Sequence, residues 1–226
     1  MIVAHRVAAL VCALALGLAG CTETPTVTRA DLPPGGPSSA VPSTAGPPTG
    51  SAPTPTPGSA DDLAALKQAA GIEECPVSDP GVAALATGLP DVTLSCLGGG
   101  RDVRLAGLRG RPMMINIWAQ WCAPCRQEAP FLAEVDAVNK SDLMIMGIDF
   151  QDADPARAIT FAQVASWRYP QLEDRDVAIR APLQVTALPQ TFFVRADGTI
   201  AHRQFLPFAS ADEIRALAQE HLGVTP

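Results

Sequence analysis

The chain carries a closely spaced pair of cysteines in the segment Trp118-Ala119-Gln120-Trp121-Cys122-Ala123-Pro124-Cys125. Before this pair, the residues from Met113 to Trp118 are apolar except for Asn116, a pattern typical of a buried central strand. After it, the residues from Ala123 to about Asn139 have the periodicity of a helix. The pattern therefore places both cysteines where a buried strand meets a helix.

That position suits a reactive cysteine. The N-terminus of a helix offers unpaired backbone N–H groups and the positive end of the helix dipole, and both favour the thiolate. Cys122 would be the exposed nucleophile, and Cys125, one turn further in, would be more buried and would resolve a mixed disulfide. Half a zinc site and a purely structural bridge are the alternatives, but zinc needs two more ligands and only His202 and His221 remain in the folded part. The spacing favours redox chemistry, and neither a metal nor a cofactor is expected.

Hydrophobic periodicity and turn residues predict an α/β domain with a central mixed sheet flanked by helices. In the first half we expect a capped helix from Asp61, a hairpin of Val92–Leu94 and Val103–Leu105, the strand Met113–Trp118, and the helix after it, kinked at Pro130, with Phe131, Leu132, Val135 and Val138 on its inner face. In the second half we expect a strand Leu143–Ile148, a helix Pro155–Trp167 capped by Asp154, a hairpin of Thr191–Val194 and Thr199–Gln204, and a helix Ser210–Leu222 with a capping box to Glu213.

The N-terminus has the features of an export signal. Arg6 precedes an apolar run from Val7 to Ala19, which is too short to cross a bilayer but suits a signal-peptide core. The run ends in Leu18-Ala19-Gly20-Cys21, which resembles the bacterial lipoprotein box. This resemblance implies that residues 1–20 are removed and that Cys21 carries the acyl chains of a membrane anchor on the extracytoplasmic face of the bacterial cell membrane. The alternative is an ordinary secretory signal with a chance cysteine.

The next segment predicts a tether. Residues 22–60 hold ten of the 22 prolines, interleaved with Ser, Thr, Gly and Ala, and such a composition cannot form a packed core. We therefore divide the chain into a signal peptide (1–20), a lipidated cysteine with a disordered tether (21–60), an N-terminal extension of the folded head (61–87) and the α/β domain itself (88–226).

Overall composition limits the partners. Hydrophobic residues make up 47% and charged residues 17% of the 226 residues, which is enough apolar content for a core. The formal net charge is −7, and an acidic surface repels phosphate backbones. Nucleic acid is therefore not expected as a partner.

The remaining cysteines suggest a second bridge. Six cysteines are present, and Cys12 would leave with the signal peptide while Cys21 would be lipidated, so 6 − 2 = 4 remain. Four cysteines allow three pairings. The spacing of the pair described above favours a local bridge, which leaves Cys75 to pair with Cys96 in an oxidising compartment. Two free thiols are the alternative.

The cysteine motif and the later segment Leu188-Pro189-Gln190-Thr191-Phe192-Phe193-Val194 together resemble the thioredoxin-like proteins, and within them the membrane-tethered thiol–disulfide oxidoreductases of the TlpA, ResA and DsbE type. The resemblance covers about residues 88–224. It implies a thioredoxin fold with a cis proline at Pro189 opposite the cysteine pair, and a Leu188 backbone that pairs with the bound substrate. Trp121 would belong to the substrate-binding rim, whereas Trp118 would be either rim or core.

A carboxylate close to the pair completes the predicted site. Glu128 lies three residues after Cys125 and so shares roughly one helix face with it. Many thioredoxins have a buried aspartate six residues before the first cysteine, where this chain has Asn116, and the tethered proteins often have a glutamate at the position of Glu128. The resemblance therefore assigns acid–base catalysis to Glu128. The alternative is a solvated helix glutamate.

The resemblance also implies a function. A monomeric reductant would keep the haem-site cysteines of apocytochrome c free and would receive electrons from a membrane thiol carrier. An oxidant that inserts disulfides into exported proteins is the enzymatic alternative, because the sequence does not set a reduction potential. A copper-binding chaperone of the same fold, with His202 as its only candidate histidine ligand, and a peroxidase are further alternatives. Both fit less well. Copper chaperones of this fold have three residues between their cysteines, and the peroxidases have a lone peroxidatic cysteine.

Overall fold

A computed structural model describes residues 58–138 and 141–226. Its strands are β1 (Thr93–Cys96), β2 (Val103–Arg104), β3 (Met113–Trp118), β4 (Met144–Phe150), β5 (Gln171–Asp174), β6 (Gln190–Val194) and β7 (Ile200–Gln204). Its helices are α1 (Ala60–Ala70), α2 (Ala123–Val138), α3 (Pro155–Val164) and α4 (Ala211–Leu222), and Leu105–Gly107 forms a short 3₁₀ helix.

The strands form one mixed sheet in the order β2-β1-β5-β4-β3-β6-β7. Strands β3, β4 and β5 run parallel, and the outer strands on both sides pair antiparallel. The central strand β3 is buried along its whole length, as its apolar sequence predicted. The predicted central mixed sheet is confirmed.

Side chains alternate between the two faces of the sheet, because successive residues of a strand point in opposite directions. Met114 and Trp118 of β3 belong to the core cluster to which all four helices contribute. Ile115 and Ile117 belong to a second cluster, which is covered by the 3₁₀ helix and by the segment 177–185. Each face of the sheet therefore has its own apolar core.

Short polar side chains begin the helices. The Ser59 side chain accepts a hydrogen bond from the Asp62 amide, so α1 begins at Ala60, one residue before the predicted start. Asp154 caps α3 as predicted. Helix α4 begins after Ser210, whose Oγ accepts from the Glu213 amide, while the Glu213 carboxylate accepts from the Ala209 amide instead of closing the capping box on Ser210.

Further expectations also differ from the structure. Strand β5 was not predicted, because its sequence Gln-Leu-Glu-Asp has few apolar residues and its burial comes from pairing between β1 and β4. Val138 was expected on the inner face of α2 but is 67% exposed, since it lies at the last helical residue, where the helix leaves the core. Helix α3 ends at Val164 rather than Trp167.

Cys75 and Cys96 form a disulfide, as expected from the cysteine count. The bridge joins the extended segment after α1 to the last residue of β1, and both cysteines are buried. The predicted signal peptide, the lipidated Cys21 and most of the predicted tether lie outside the described residues. Within the described ranges, no helix has the length and apolar character needed to span a bilayer.

Candidate active site

The two motif cysteines lie at the start of α2 and form a disulfide. The Cys125 amide donates to the Cys122 Sγ at 3.2 Å, so the first turn of the helix directs an N–H group at this sulfur. A hydrogen bond of this kind, at the positive end of a helix dipole, favours a thiolate at Cys122 once the bridge is reduced. The strand-to-helix position predicted for the pair is confirmed.

The two sulfurs differ in their access to solvent. Cys122, expected to be exposed, is only 4% exposed, but it lines a cleft of about 340 Å³, whereas Cys125 has no exposed surface and does not line it. The cleft is walled by the start of α2, the end of β4 and the segment 185–188. An incoming sulfur atom can therefore approach Cys122 but not Cys125.

The tryptophans of the motif divide between rim and core. Trp121 is 51% exposed and lines the cleft beside Cys122. Trp118 is completely buried, and its Nε1 donates to Gln171 Oε1 at 3.0 Å while its ring contacts Trp167 edge to face. Trp118 is therefore a core residue, and of these two tryptophans Trp121 is the one at the rim of the cleft.

The proline segment lies next to the cysteine pair. The Leu188–Pro189 peptide bond is cis, and Leu188 lines the same cleft as Cys122. Pro189 leads directly into β6, which pairs antiparallel with β3, the strand that delivers the cysteines. The sheet thus brings together two segments about 65 residues apart in the sequence.

Glu128 is completely buried beneath the pair, one turn along α2 from Cys125. Its Oε1 accepts from Asn116 Nδ2 at 2.9 Å, and its Oε2 accepts from the Phe208 amide at 3.0 Å. Burial raises the pKa of Glu128 to about 7, because removal from water penalises the charged carboxylate more than the two hydrogen bonds stabilise it. The solvated glutamate considered from the sequence is wrong, since no part of Glu128 reaches the surface.

Two partners of Glu128 were not assigned a role from the sequence. Asn116 was noted only as a departure from the thioredoxin pattern, yet its amide bridges Glu128 and Thr191 Oγ1. A signal was present, because a polar residue inside an apolar strand must find a partner when it is buried. The backbone of Phe208 carried no such signal, since a main-chain donor between β7 and α4 leaves no mark on the sequence.

Two histidines lie elsewhere in the described part of the fold. His202 of β7 stacks on His221 of α4, with ring centroids 4.1 Å apart and the planes nearly parallel. Burial, together with the nearby His221, lowers the pKa of His202. Among residues 58–138 and 141–226, no three His, Cys, Asp or Glu side chains are grouped so that they could hold a metal ion.

Known proteins are similar to this chain in sequence. The chain is 32% identical over 111 residues to the thiol:disulfide interchange protein DsbE of Pseudomonas fluorescens biotype C, a match that covers 49% of this chain and 61% of that protein. It is 30% identical over 112 residues to the thiol-disulfide oxidoreductase ResA of Geobacillus thermodenitrificans, which covers 49% of this chain and 63% of that protein. The chain thus spans about three fifths of the length of these curated relatives.

A solved structure and a family model extend the comparison. The structure of MTB dsbF in its mixed oxidized and reduced forms matches with a TM-score of 0.51 at 27% identity, covering 58% of this chain and 94% of that one. The thioredoxin fold predicted from the cysteine motif is confirmed. The model of the AhpC/TSA family matches residues 86–203, just over half of the chain, from the loop before β1 into β7. The chain therefore belongs to the AhpC/TSA family.

Proposed function

We propose that this protein is a thiol–disulfide oxidoreductase that acts on protein disulfides through Cys122 and Cys125. The observation that carries the proposal is the unequal access of the two sulfurs, one open to a cleft beside the cis proline and the other buried behind it. The names of the DsbE and ResA relatives describe thiol–disulfide exchange, which supports this proposal. A structural bridge would need neither the cleft nor the helix amide aimed at Cys122.

The reaction is two successive exchanges. The Cys122 thiolate attacks one sulfur of the substrate disulfide, an enzyme–substrate S–S bond forms, and the other substrate sulfur leaves as a thiolate that takes up a proton. Cys125 then loses its proton and attacks the Cys122 sulfur, and the second substrate sulfur leaves as a thiolate that also takes up a proton. Two electrons and two protons have passed to the substrate, and the protein holds the Cys122–Cys125 disulfide seen in the structure.

Glu128 serves the second exchange as the proton acceptor for Cys125. The carboxyl lies one turn from Cys125 on the same helix, and a group with a pKa of about 7 changes charge readily at neutral pH. Asn116 and the Phe208 amide orient the carboxyl through one hydrogen bond to each oxygen. Glu128 therefore moves the proton, while Cys122 and Cys125 move the electrons.

In its cellular setting the protein would be a reductant on the extracytoplasmic face of the membrane. Cys21 would carry the lipid anchor and residues 22–60 would form the tether that lets residues 61–226 reach substrates. The names of the DsbE and ResA relatives and the lipoprotein-like N-terminus support this assignment. The substrate would be a disulfide of an exported protein such as apocytochrome c, and a membrane dithiol carrier would restore the reduced form of this monomer.

The reduction potential of Cys122–Cys125 tests the direction of electron flow. The full chain is equilibrated in buffers of defined thiol and disulfide content, free thiols are alkylated, and the state of each pair is read by peptide mass spectrometry. A value near or below about −250 mV, the range of thioredoxins, is expected. A value near about −120 mV, the range of strong periplasmic oxidants, would contradict the reductant and favour the enzyme that forms disulfides.

A further inference from the structure

The cleft beside Cys122 is mostly apolar and is lined by one charged side chain. Trp121, Phe150, Val185 and Leu188 provide much of its wall, and among the described residues that line it only Arg180 is ionised. The chain as a whole carries a net charge of −7, so the positive charge at the cleft is opposite in sign to the net charge of the protein.

Arg180 is held in place without an acidic partner. Its Nη2 donates to Gln151 Oε1 at 2.6 Å, and its guanidinium lies 5.1 Å from the centre of the Phe150 ring. Neither contact neutralises the charge, and no ion pair of Arg180 exists among the described residues. An arginine that is positioned yet unpaired keeps its remaining N–H donors free for a carboxylate from outside.

The backbone beneath Arg180 supports this interpretation. Gln151 has a φ of 55°, a left-handed conformation that residues other than glycine adopt infrequently. Its amide donates to the Asp174 carbonyl at 2.9 Å, which ties the end of β4 to the end of β5. Unusual backbone geometry of this kind clusters at functional sites, and the side chain of this residue accepts the hydrogen bond from Arg180.

We propose that Arg180 selects substrate segments that carry an acidic side chain close to the cysteine to be reduced. The inference rests on the proposed function and adds a preference among protein disulfides. The acidic side chain would pair with the guanidinium while apolar neighbours cover Trp121 and Phe150. Because Arg180 is exposed, salt screens the attraction, and an effect of about fivefold on the rate of exchange is expected at low ionic strength.

Two matched peptides test the proposal. Each contains one internal disulfide, and they differ only in a Glu or a Gln next to the reactive cysteine. The full-length protein is reduced, and the bimolecular rate constant for each peptide is followed by tryptophan fluorescence in stopped flow. We expect the Glu peptide to react about fivefold faster than the Gln peptide at low salt, and the ratio to fall towards one at high salt.

Variants separate recognition from general reactivity. Arg180→Gln should bring the ratio of the two rate constants close to one, and Arg180→Glu should invert it and favour a third peptide with Lys at the same place. Arg157→Gln changes the net charge by the same amount on the exposed face of α3 and should leave the ratio at its native value. The ratio is the decisive quantity, because any effect of Arg180 on Cys122 itself alters all three rates together.

Two results would overturn the inference in different ways. If all peptides react but the native ratio is near one, or if Arg180→Gln leaves the ratio unchanged, Arg180 does not select acidic segments and the oxidoreductase activity stands. If no peptide is reduced by the native protein, the proposed function itself fails and the inference fails with it.

Discussion

The protein contains two disulfides in contrasting settings. Cys122 and Cys125 are three residues apart at the start of a helix, and one of their sulfurs faces a cleft. Cys75 and Cys96 are 21 residues apart, join an extended segment to the end of β1, and are both only 2% exposed. Under the proposed function, the cleft that leads to Cys122 distinguishes the redox pair from the structural bridge, since all four cysteines are otherwise nearly buried.

Each disulfide has a polar group next to one of its sulfurs. The sulfur of Cys122 accepts from a helix amide at 3.2 Å, and the sulfur of Cys96 lies 3.2 Å from the ammonium of the buried Lys67. Both neighbours favour a thiolate over a thiol when the bridge is open. A favourable electrostatic neighbour is therefore present at both disulfides, and the first also lines a cleft through which a substrate could approach.

Removal of the Cys75–Cys96 bridge should produce the largest change in stability and little change in catalysis. The double variant Cys75→Ala/Cys96→Ala frees a loop of 21 residues in the unfolded chain, for which the chain-entropy model gives a loss of about 3 kcal/mol in the free energy of unfolding. Denaturant titration of the oxidised protein measures this loss. Exchange with a peptide disulfide should continue, because Cys122, Cys125 and Glu128 keep their positions.

The matched control is the double variant Cys122→Ala/Cys125→Ala. Its loop is much shorter, so the free energy of unfolding should fall by about 2 kcal/mol or less, whereas exchange should be abolished. If the variant Cys75→Ala/Cys96→Ala folds stably but loses exchange, the contrast between the two disulfides is wrong. The buried bridge would then take part in catalysis.

The sequence predicted the position of the Cys122–Cys125 pair in more detail than the residues that surround it. The position of Cys122 at a strand–helix junction followed from apolar periodicity alone, and the hairpin of Thr191–Val194 and Thr199–Gln204 followed from turn chemistry. These features are local, so neighbouring residues carry the information. The burial of Glu128 was left open, because it depends on Phe208, which lies 80 residues further along the chain.

Other parts could not be read from local patterns. Strand β5 is polar in sequence and becomes a strand by pairing on both sides. Arg180 lies on no regular element, and its place in the cleft depends on Gln151 and Phe150 from the end of β4. Residues such as these acquire their role from tertiary contacts, which a single sequence does not display.

The variant Glu128→Gln should slow the step in which Cys125 resolves the mixed disulfide, and it should leave the Cys75–Cys96 bridge unaffected. As the pH rises through about 7, Glu128 loses its proton and becomes the base for Cys125, so resolution of the mixed disulfide should accelerate in the native protein. The glutamine cannot accept this proton, and resolution should be about tenfold slower at pH 8, where the thiol also loses its proton to water. Rapid-quench kinetics of the mixed disulfide between pH 5 and 9 measures both the rate and the inflection.

Glu134→Gln provides the control for this experiment. Glu134 lies on the same helix, but its side chain is largely exposed and pairs with Arg215 at the surface. This variant should retain the native rate and the inflection near pH 7. An unchanged profile in Glu128→Gln would show that water or substrate takes the Cys125 proton, and the buried carboxyl would then have only a structural role.

The variant Lys67→Met should change only the reduction potential of the Cys75–Cys96 bridge. This is the smallest effect expected among these variants. The Lys67 Nζ contacts Cys96 Sγ, the Gly99 carbonyl at 2.9 Å and Glu74 at 3.3 Å. The ammonium stabilises the Cys96 thiolate and thus the reduced state, so its removal should make the Cys75–Cys96 potential more negative, on the order of 10 mV at pH 7. The shift should grow towards pH 9, where more thiolate forms in the native protein.

The potential of Cys122–Cys125, measured in the same sample by alkylation and mass spectrometry, serves as the internal control and should not move. A shift of Cys75–Cys96 to a less negative potential would mean that Lys67 stabilises the oxidised bridge. That outcome would contradict the claim that the Lys67 ammonium favours the Cys96 thiolate, because the cation would then stabilise the buried disulfide. Equal shifts in both pairs would mean instead that the two disulfides communicate through β1, β5 and the sheet.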